Sequence, residues 1–151
     1  MTISIDEIKK LREKTSCSVM DCSKALADAK GDMKKAEDIL IKAGAAKLEK
    51  KKDRDTNSGI IGTYSHGGKI GVILEILCET DFVAKNETFK SLAHDIAMQI
   101  AAMNPKDVKE LMKQNFIKDE SKTIDDLLNF GISKLGENMK ISRFERIELG
   151  K

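Results

Sequence analysis

The sequence has no tryptophan, one tyrosine and five phenylalanines, so aromatic residues make up only 4% of its 151 residues. This scarcity argues against a broad stacking platform for single-stranded nucleic acid, which relies on rows of aromatic side chains. An excess of one charge is also missing, because 27 basic and 25 acidic residues leave a formal net charge of +2. Composition therefore gives no reason to expect a surface built for DNA, membranes or polyanions.

Residues that carry catalytic or metal chemistry are few. The two histidines, His66 and His94, fall in a predicted turn and on the polar side of a predicted helix, far from any nucleophile pattern. The three cysteines, Cys17, Cys22 and Cys78, form no CxxC pair and match no zinc spacing. The glycines spell neither a dinucleotide fingerprint nor a phosphate-binding loop. The sequence thus predicts no catalytic residue, no metal site and no cofactor, and favours a binding protein over an enzyme.

Long hydrophobic runs are absent as well. No stretch approaches 18 uninterrupted apolar residues, and the first residues lack a charged segment followed by an apolar one. An odd number of cysteines without a disulfide pattern suits a reducing compartment. We therefore expect no membrane association and a cytoplasmic location.

The first 45 residues contain the start and stop signals of three short helices. Ser4 and Glu7 form a capping box, and Ser18 provides a second helix start. Asp32 caps a third helix, which the sequence predicts to end at Gly44. Residues 1–45 are thus predicted to be a small three-helix bundle, a size that suits docking because it leaves no room for a substrate cavity.

Residues 46–57 are predicted to be a charged linker, and its basic cluster at 47–54 allows two interpretations. The cluster is either a solvated face, since acidic residues are interleaved, or a contact for phosphates in a ribosome- or RNA-associated module. Charge runs are usually solvated, so the first interpretation is favoured, and the RNA-associated module is kept as the alternative function.

Residues 58–151 are predicted to form a sheet covered by helices, which gives an α+β fold class. Strands are expected at 59–65 and 70–79, joined by a Gly-Gly turn, with a third antiparallel strand at 141–149 at an edge or interface. Helices are expected at 86–103, at 107–114 and from Thr123 onward. The even positions of the second strand are all apolar, and the odd positions are half apolar. A second copy of the chain is a candidate to cover that second face.

Residues 80–83, Thr80-Asp81-Phe82-Val83, lie between a predicted strand and a predicted helix. In one interpretation Thr80 or Asp81 caps a short helical turn and Phe82 packs it onto the core. In the other, the four residues are a protruding wedge, with Phe82 filling an apolar pocket of a partner and Asp81 adding charge or a hydrogen bond. Periodicity alone favours the first interpretation. We call residues 80–83 the wedge segment.

Three groups of residues resemble the signatures of the elongation factor Ts family. They occur in the family's order and span most of the chain: LREKT at 11–15 with MDCSKAL at 20–26, ETDFVAKN at 79–86, and LGEN at 135–138 with RF at 143–144. The resemblance implies an N-terminal three-helix domain like the ubiquitin-associated domain, followed by a sheet-and-helix dimerisation domain at 58–151.

The resemblance also implies a function and a set of contacts. Family members bind elongation factor Tu and promote GDP release by dislodging its magnesium ion. At matching positions, Arg12, Val19 and Met20 would dock on the partner's G domain, and Phe82 of the wedge segment would push between two partner helices. The segment between Pro105 and Phe116 is shorter than in the family. A homodimer, as in compact members, is therefore expected to replace the missing part.

Overall fold

The computed structural model describes residues 2–151, and the chain divides into two compact units, Met1–Asp53 and Arg54–Lys151. The first unit is helical, with α1 (Ile5–Thr15), α2 (Val19–Asp28) and α3 (Met33–Lys51). Each helix begins where the sequence predicts it. Ser4 and Glu7 form a capping box, and the Ser18 and Asp32 side chains accept backbone N–H groups of the helices that follow them. The buried core of this unit is small: Leu11, Cys22, Ala25, Leu26, Ala29, Ala36 and Leu40.

The third helix does not end where the sequence predicts. It continues through Gly44 to Lys51, so the predicted stop at Gly44 is wrong and the first part of the predicted linker is helical. The neighbours of Gly44 explain the continuation, because Ala43, Ala45 and Ala46 have the highest helix propensity of all residues. One interior glycine costs only about 1 kcal/mol relative to alanine, which its neighbours offset.

The second unit combines a sheet with helices in the order β1 (Ser58–His66), β2 (Ile70–Cys78), α4 (Asp81–Ala84), α5 (Glu87–Met103), α6 (Val108–Lys113), β3 (Asn115–Phe116), β4 (Asp119–Thr123), α7 (Ile124–Leu135) and β5 (Met139–Glu148). The three longer strands pair antiparallel in the order β1-β2-β5, which leaves β5 at an edge. The α+β fold class with a small antiparallel sheet is thereby confirmed.

The two faces of this sheet differ as the alternation in β2 predicts. Val72, Leu74, Ile76 and Cys78 are buried on one face. The other face carries Ile61, Ile73 and Ile147, which are 60%, 53% and 72% exposed. This exposed apolar strip crosses all three strands, because Ile61 is paired opposite Glu75, Ile73 opposite Glu145 and Ile147 opposite Gly71. We call it the open sheet face.

The longest helix of this unit, α5, packs on the buried face close to β1. A Cβ atom built on Gly62 would lie 3.2 Å from the Cβ of Ala93, so the helix approaches the strand through two of the smallest residues. The apolar stripe that predicts this helix is largely buried, with Phe89, Ile96 and Ile100 at 0% exposure.

A short hairpin, β3–β4, follows α6 and is not predicted by the sequence. Its second strand reads Asp-Glu-Ser-Lys-Thr and is almost entirely exposed, so it lacks the alternation of apolar and polar residues by which strands are recognised. Among residues 2–151, no helix combines the length and the apolar character needed to cross a membrane.

Candidate functional site

The wedge segment forms the start of α4, a single helical turn between β2 and α5. Thr80 is its N-cap, and its hydroxyl oxygen accepts the backbone N–H of Val83 at 3.4 Å. Val83 and Ala84 are each only 5% exposed, so one side of the turn is anchored in the core. Phe82 lies on the other side and is 85% exposed. A phenyl ring is thereby held in solvent on an anchored backbone.

The structure agrees with the first sequence interpretation on the cap and departs from it on the place of Phe82. Thr80 caps a helical turn, as the first interpretation predicts. The expectation that Phe82 packs this turn onto the core is wrong, because Val83 and Ala84 do so instead. Successive side chains in a helix are about 100° apart, so with Val83 and Ala84 turned to the core the side chains of Asp81 and Phe82 lie on the solvent side. Asp81 is exposed in the same turn and carries its charge next to the ring.

Glu137, in the loop after α7, holds the cap of this turn from across the unit. Its carboxylate accepts the backbone N–H of Thr80 at 2.9 Å and the hydroxyl of Thr80 at 2.7 Å. Hydrogen bonds to an ionised acceptor are about twice as strong as neutral ones. The two residues are 57 positions apart, so no local pattern reveals the contact. The only sequence signal is that both lie in motifs resembling one family.

A second set of hydrogen bonds joins the residues before α4 to the loop after α7, and here the loop after α7 provides the donor. The backbone N–H of Asn138 donates to the Glu79 carboxylate at 2.8 Å, and the Asn138 amide nitrogen donates to the carbonyl oxygen of Arg54 at 2.9 Å. The guanidinium of Arg54 lies 3.6 Å from the same carboxylate. The residues preceding the wedge segment are therefore fixed to the loop that contains Glu137.

The thiol of Cys78 lies beneath this arrangement. It is fully buried and donates to the carbonyl oxygen of Thr80 at 3.2 Å. Burial raises the pKa of the Cys78 thiol, and the nearby Glu137 charge raises it further. The thiol is thus held protonated as a small core residue.

The other predicted contact residues lie in the first unit. Arg12 is in the last turn of α1, and Val19 and Met20 begin α2, so all three border the turn between these helices. Met20 is 82% exposed and Val19 51% exposed. The helical spacing of Val19 suggests a core position, but the structure places it at the surface.

The basic cluster at 47–54 is interleaved with acids in space as well as in sequence. Lys47 lies 3.3 Å from Asp21, and Lys52 lies 2.6 Å from Glu49. In the second unit, Arg54 contacts Glu79. Ion pairing of this kind reduces the positive potential that a phosphate backbone would meet.

The two histidines are arranged around one tyrosine. Tyr64 stacks on His66 with ring centroids 6.2 Å apart, and His94 meets the Tyr64 ring edge-on at 5.5 Å. Within residues 2–151, no three His, Cys, Asp or Glu side chains are grouped closely enough to hold a metal ion.

Comparisons with known proteins identify the class of the chain. The family model described as elongation factor TS matches residues 79–151, which include the wedge segment and the Glu137 loop. Elongation factor Ts from Thermotoga maritima is 43% identical, over 99% of this chain and 98% of its own length. The protein of that name from Fervidobacterium nodosum is 40% identical over 99% and 100%, and that from Oleidesulfovibrio alaskensis is 42% identical over 95% and 96%.

The matches place the chain among the translation elongation factors. More particularly, it belongs to the elongation factor Ts family, which confirms the resemblance carried by the three motifs. The alignment with the Thermotoga maritima protein extends over 194 positions although this chain has 151 residues, so gaps open within this chain. The chain is thus a compact member.

Proposed function

We propose that this chain binds the GDP form of elongation factor Tu and promotes GDP release by disturbing the magnesium ion bound there, so that GTP can reload. The observation that carries the proposal is the exposure of Phe82, 85%, on a turn whose opposite side is buried. A rigid aromatic side chain held in water favours insertion into an apolar pocket, since insertion removes its surface from water without ordering a flexible loop.

The proposed mechanism requires no covalent step in this chain. Mg²⁺ demands near-ideal octahedral geometry, so a small displacement of the partner's backbone by Phe82 costs the metal a ligand. Asp81, beside Phe82, brings a negative charge toward the same site. The nucleotide diphosphate then loses its main countercharge and dissociates faster. Because binding is reciprocal, nucleotide and exchange factor weaken each other's affinity by the same factor.

We propose that Arg12, Val19 and Met20 dock the first unit on the G domain of elongation factor Tu. Their support is exposure: two apolar side chains and a guanidinium border one turn, and Met20 is 82% exposed. Arginine with exposed apolar neighbours is typical of the energetically dominant residues in protein interfaces. In this proposal, docking by the first unit sets the affinity for elongation factor Tu, and insertion of Phe82 from the second unit sets the rate of GDP release.

The test of the wedge is the release rate of fluorescent GDP from elongation factor Tu, measured by stopped flow. Phe82→Ala should slow release at saturating factor by about tenfold or more, because a dominant interface residue contributes about 2 kcal/mol. Phe130→Ala is the matched control, since Phe130 is also a partly exposed phenylalanine of this unit, at 46%. A normal release rate for Phe82→Ala, with unchanged thermal unfolding, would reject the wedge.

We propose further that the open sheet face forms a homodimer. Ile61, Ile73 and Ile147 make an apolar strip, and the ion pair of Arg143 with Glu75 at 3.4 Å borders it with both charges. A face with both charges beside an apolar strip can complement its own copy around a two-fold axis. Analytical ultracentrifugation at micromolar concentration should give twice the 16.8 kDa chain mass, and Ile73→Lys should give the single chain mass. A wild-type protein found only as the single chain would rule out this dimer.

We infer that the chain acts in the cytoplasm without binding nucleic acid directly. The cytoplasm suits its three unpaired thiols, two of which are buried. The pairing of Lys47 and Lys52 with acidic neighbours supports the absence of RNA binding by the 47–54 cluster. RNA binding that weakens steeply with salt, and is insensitive to Phe82→Ala, would instead favour the RNA-associated alternative.

A further inference from the structure

The cap of α4 has a weak internal bond and a strong external one. Within the turn, the Val83 N–H reaches the Thr80 hydroxyl at 3.4 Å, the long end of hydrogen-bond geometry. From outside, Glu137 takes both donors of Thr80 at 2.9 and 2.7 Å. A four-residue helix is too short to be stable alone, because forming the first turn fixes several residues for one hydrogen bond. Burial of Val83 and Ala84 anchors one side of this turn, and Glu137 fixes its first residue, Thr80.

The hydroxyl of Thr80 connects the two interactions. A threonine hydroxyl has one proton and two lone pairs. Because the proton is donated to Glu137, a lone pair is aimed at the Val83 N–H, and the donor–acceptor roles are fixed. Losing the carboxylate would free the hydroxyl to rotate and leave the Thr80 N–H without its acceptor.

We propose that Glu137 is a positioning residue for nucleotide exchange: it sets the direction in which Phe82 projects, without contacting the partner's nucleotide site itself. The inference rests on the proposed function, because it takes the wedge segment to act in nucleotide exchange and holds that Glu137, outside that segment, orients its Phe82. Asn138 supports the same arrangement, since its N–H donates to Glu79 directly before Thr80.

The position of Glu137 predicts a specific kinetic signature. Docking through the first unit does not involve the Glu137 loop, so the concentration of factor at half-saturation should stay within about twofold of wild type. The saturating release rate should fall instead, because fewer complexes hold Phe82 in the productive direction. A merely structural role would lower stability or affinity and leave the saturating rate unchanged.

The experiment measures fluorescent GDP release against factor concentration for Glu137→Gln. The glutamine has the same shape but no charge: its oxygen can still accept the Thr80 N–H, while its amide nitrogen can only donate to the Thr80 hydroxyl. The charge-assisted bond from that hydroxyl is therefore lost, and the hydroxyl proton is left without its acceptor. We expect about a tenfold lower saturating rate, the effect of losing one charge-assisted hydrogen bond. Glu137→Asp should recover part of this rate if its carboxylate still reaches Thr80.

Asp126→Asn is the matched control. Asp126 also accepts the backbone N–H of a capping threonine, Thr123 at 2.9 Å, but in α7 rather than in α4. Its substitution should cost similar stability and leave the saturating rate unchanged. An equal loss of rate in Asp126→Asn would show that any damaged helix cap slows exchange, and would overturn the inference.

The double variant Phe82→Ala with Glu137→Gln separates this inference from the function on which it rests. If Glu137 acts through Phe82, the double variant should be no slower than Phe82→Ala alone, because no ring remains to be aimed. A slow Phe82→Ala with a normal Glu137→Gln rejects the positioning role alone. A normal Phe82→Ala rejects the wedge and with it the positioning role, and additive losses show that Glu137 acts by another route.

Discussion

The side-chain oxygen of Gln99 accepts the backbone N–H of Ile117 at 3.0 Å, while its amide nitrogen donates to the carbonyl oxygen of Asn115 at 3.0 Å. Gln99 lies in α5 and is 0% exposed. One buried amide thereby bonds to strand β3 at Asn115 and to the turn after it at Ile117, and so holds the hairpin against the helix.

Replacing Gln99 by leucine should lower the free energy of unfolding by about 2 kcal/mol or more. Leucine has a similar volume but leaves the Ile117 N–H and the Asn115 carbonyl without their partner, at a cost of about 1–3 kcal/mol for each unsatisfied group. Urea denaturation measures the change. Gln114→Ala is the control, because Gln114 contributes only a 3.3 Å contact to the same amide. Wild-type stability for Gln99→Leu would show that the hairpin does not need this contact.

Gly44→Ala should stabilise the first unit by about 1 kcal/mol, because alanine has the higher helix propensity. Gly44 lies inside α3, and no atom lies within 4 Å of a Cβ built on it. Circular dichroism during thermal unfolding measures the effect. If the helix ended at Gly44 in a left-handed conformation, as the sequence suggests, the same substitution would be destabilising. The sign of the change therefore tests the helix boundary.

Gly59→Ala should destabilise the second unit by about 2 kcal/mol or more, because overpacking against backbone cannot be relieved by a rotamer change. A Cβ on Gly59 would overlap the carbonyl oxygen of Ile76 in the neighbouring strand. Gly71→Ala is the control in the same sheet, since nothing lies within 4 Å of its Cβ position. Chemical denaturation of the two variants should therefore give clearly different midpoints, and equal midpoints would contradict the close approach.

The free energy of unfolding should fall as the pH rises above about 8.5, the ordinary pKa of a thiol in an unfolded chain. Burial raises the pKa of Cys22 and of Cys78 in the folded protein. Above the unfolded pKa, the folded state binds more protons than the unfolded state, so each unit of pH costs stability until the folded pKa is reached. Denaturation between pH 8 and 10 measures this slope. It should be shallower in Cys78→Ala, and an unchanged slope would exclude this thiol as its source.

Local interactions were predictable from the sequence, and long-range ones were not. The capping box of Ser4 and Glu7 uses residues three apart, and the core face of β2 follows from alternation within one strand. The bonds from Glu137 to Thr80 and from Gln99 to Ile117 join residues 57 and 18 apart. Alternation and periodicity classify the side chains of Glu137 and Gln99 as polar, but they do not indicate which distant residue each one bonds.

In the wedge segment, too, sequence patterns do not reveal which residue is buried by contacts with distant parts of the chain. Sequence patterning recognised that Thr80 could cap a turn, but it could not decide whether Phe82 or Val83 enters the core. That choice depends on where the buried face of β2 and the start of α5 lie in space. The resemblance to a family marked Phe82 as a contact residue, and the structure supplies the physical condition for that role by exposing it.

Helix α5 packs closely on β1 because Gly62 and Ala93 are small residues, and a larger residue at either position would push the helix away from the strand. Only two residues separate the end of α4 from the start of α5, and the Asn86 N–H donates to the Val83 carbonyl oxygen at 2.9 Å. Any substitution that lifts the helix from the strand would therefore tilt Phe82 as well. Changes in this interior layer would thus alter the direction of the Phe82 ring without altering any residue of the wedge segment.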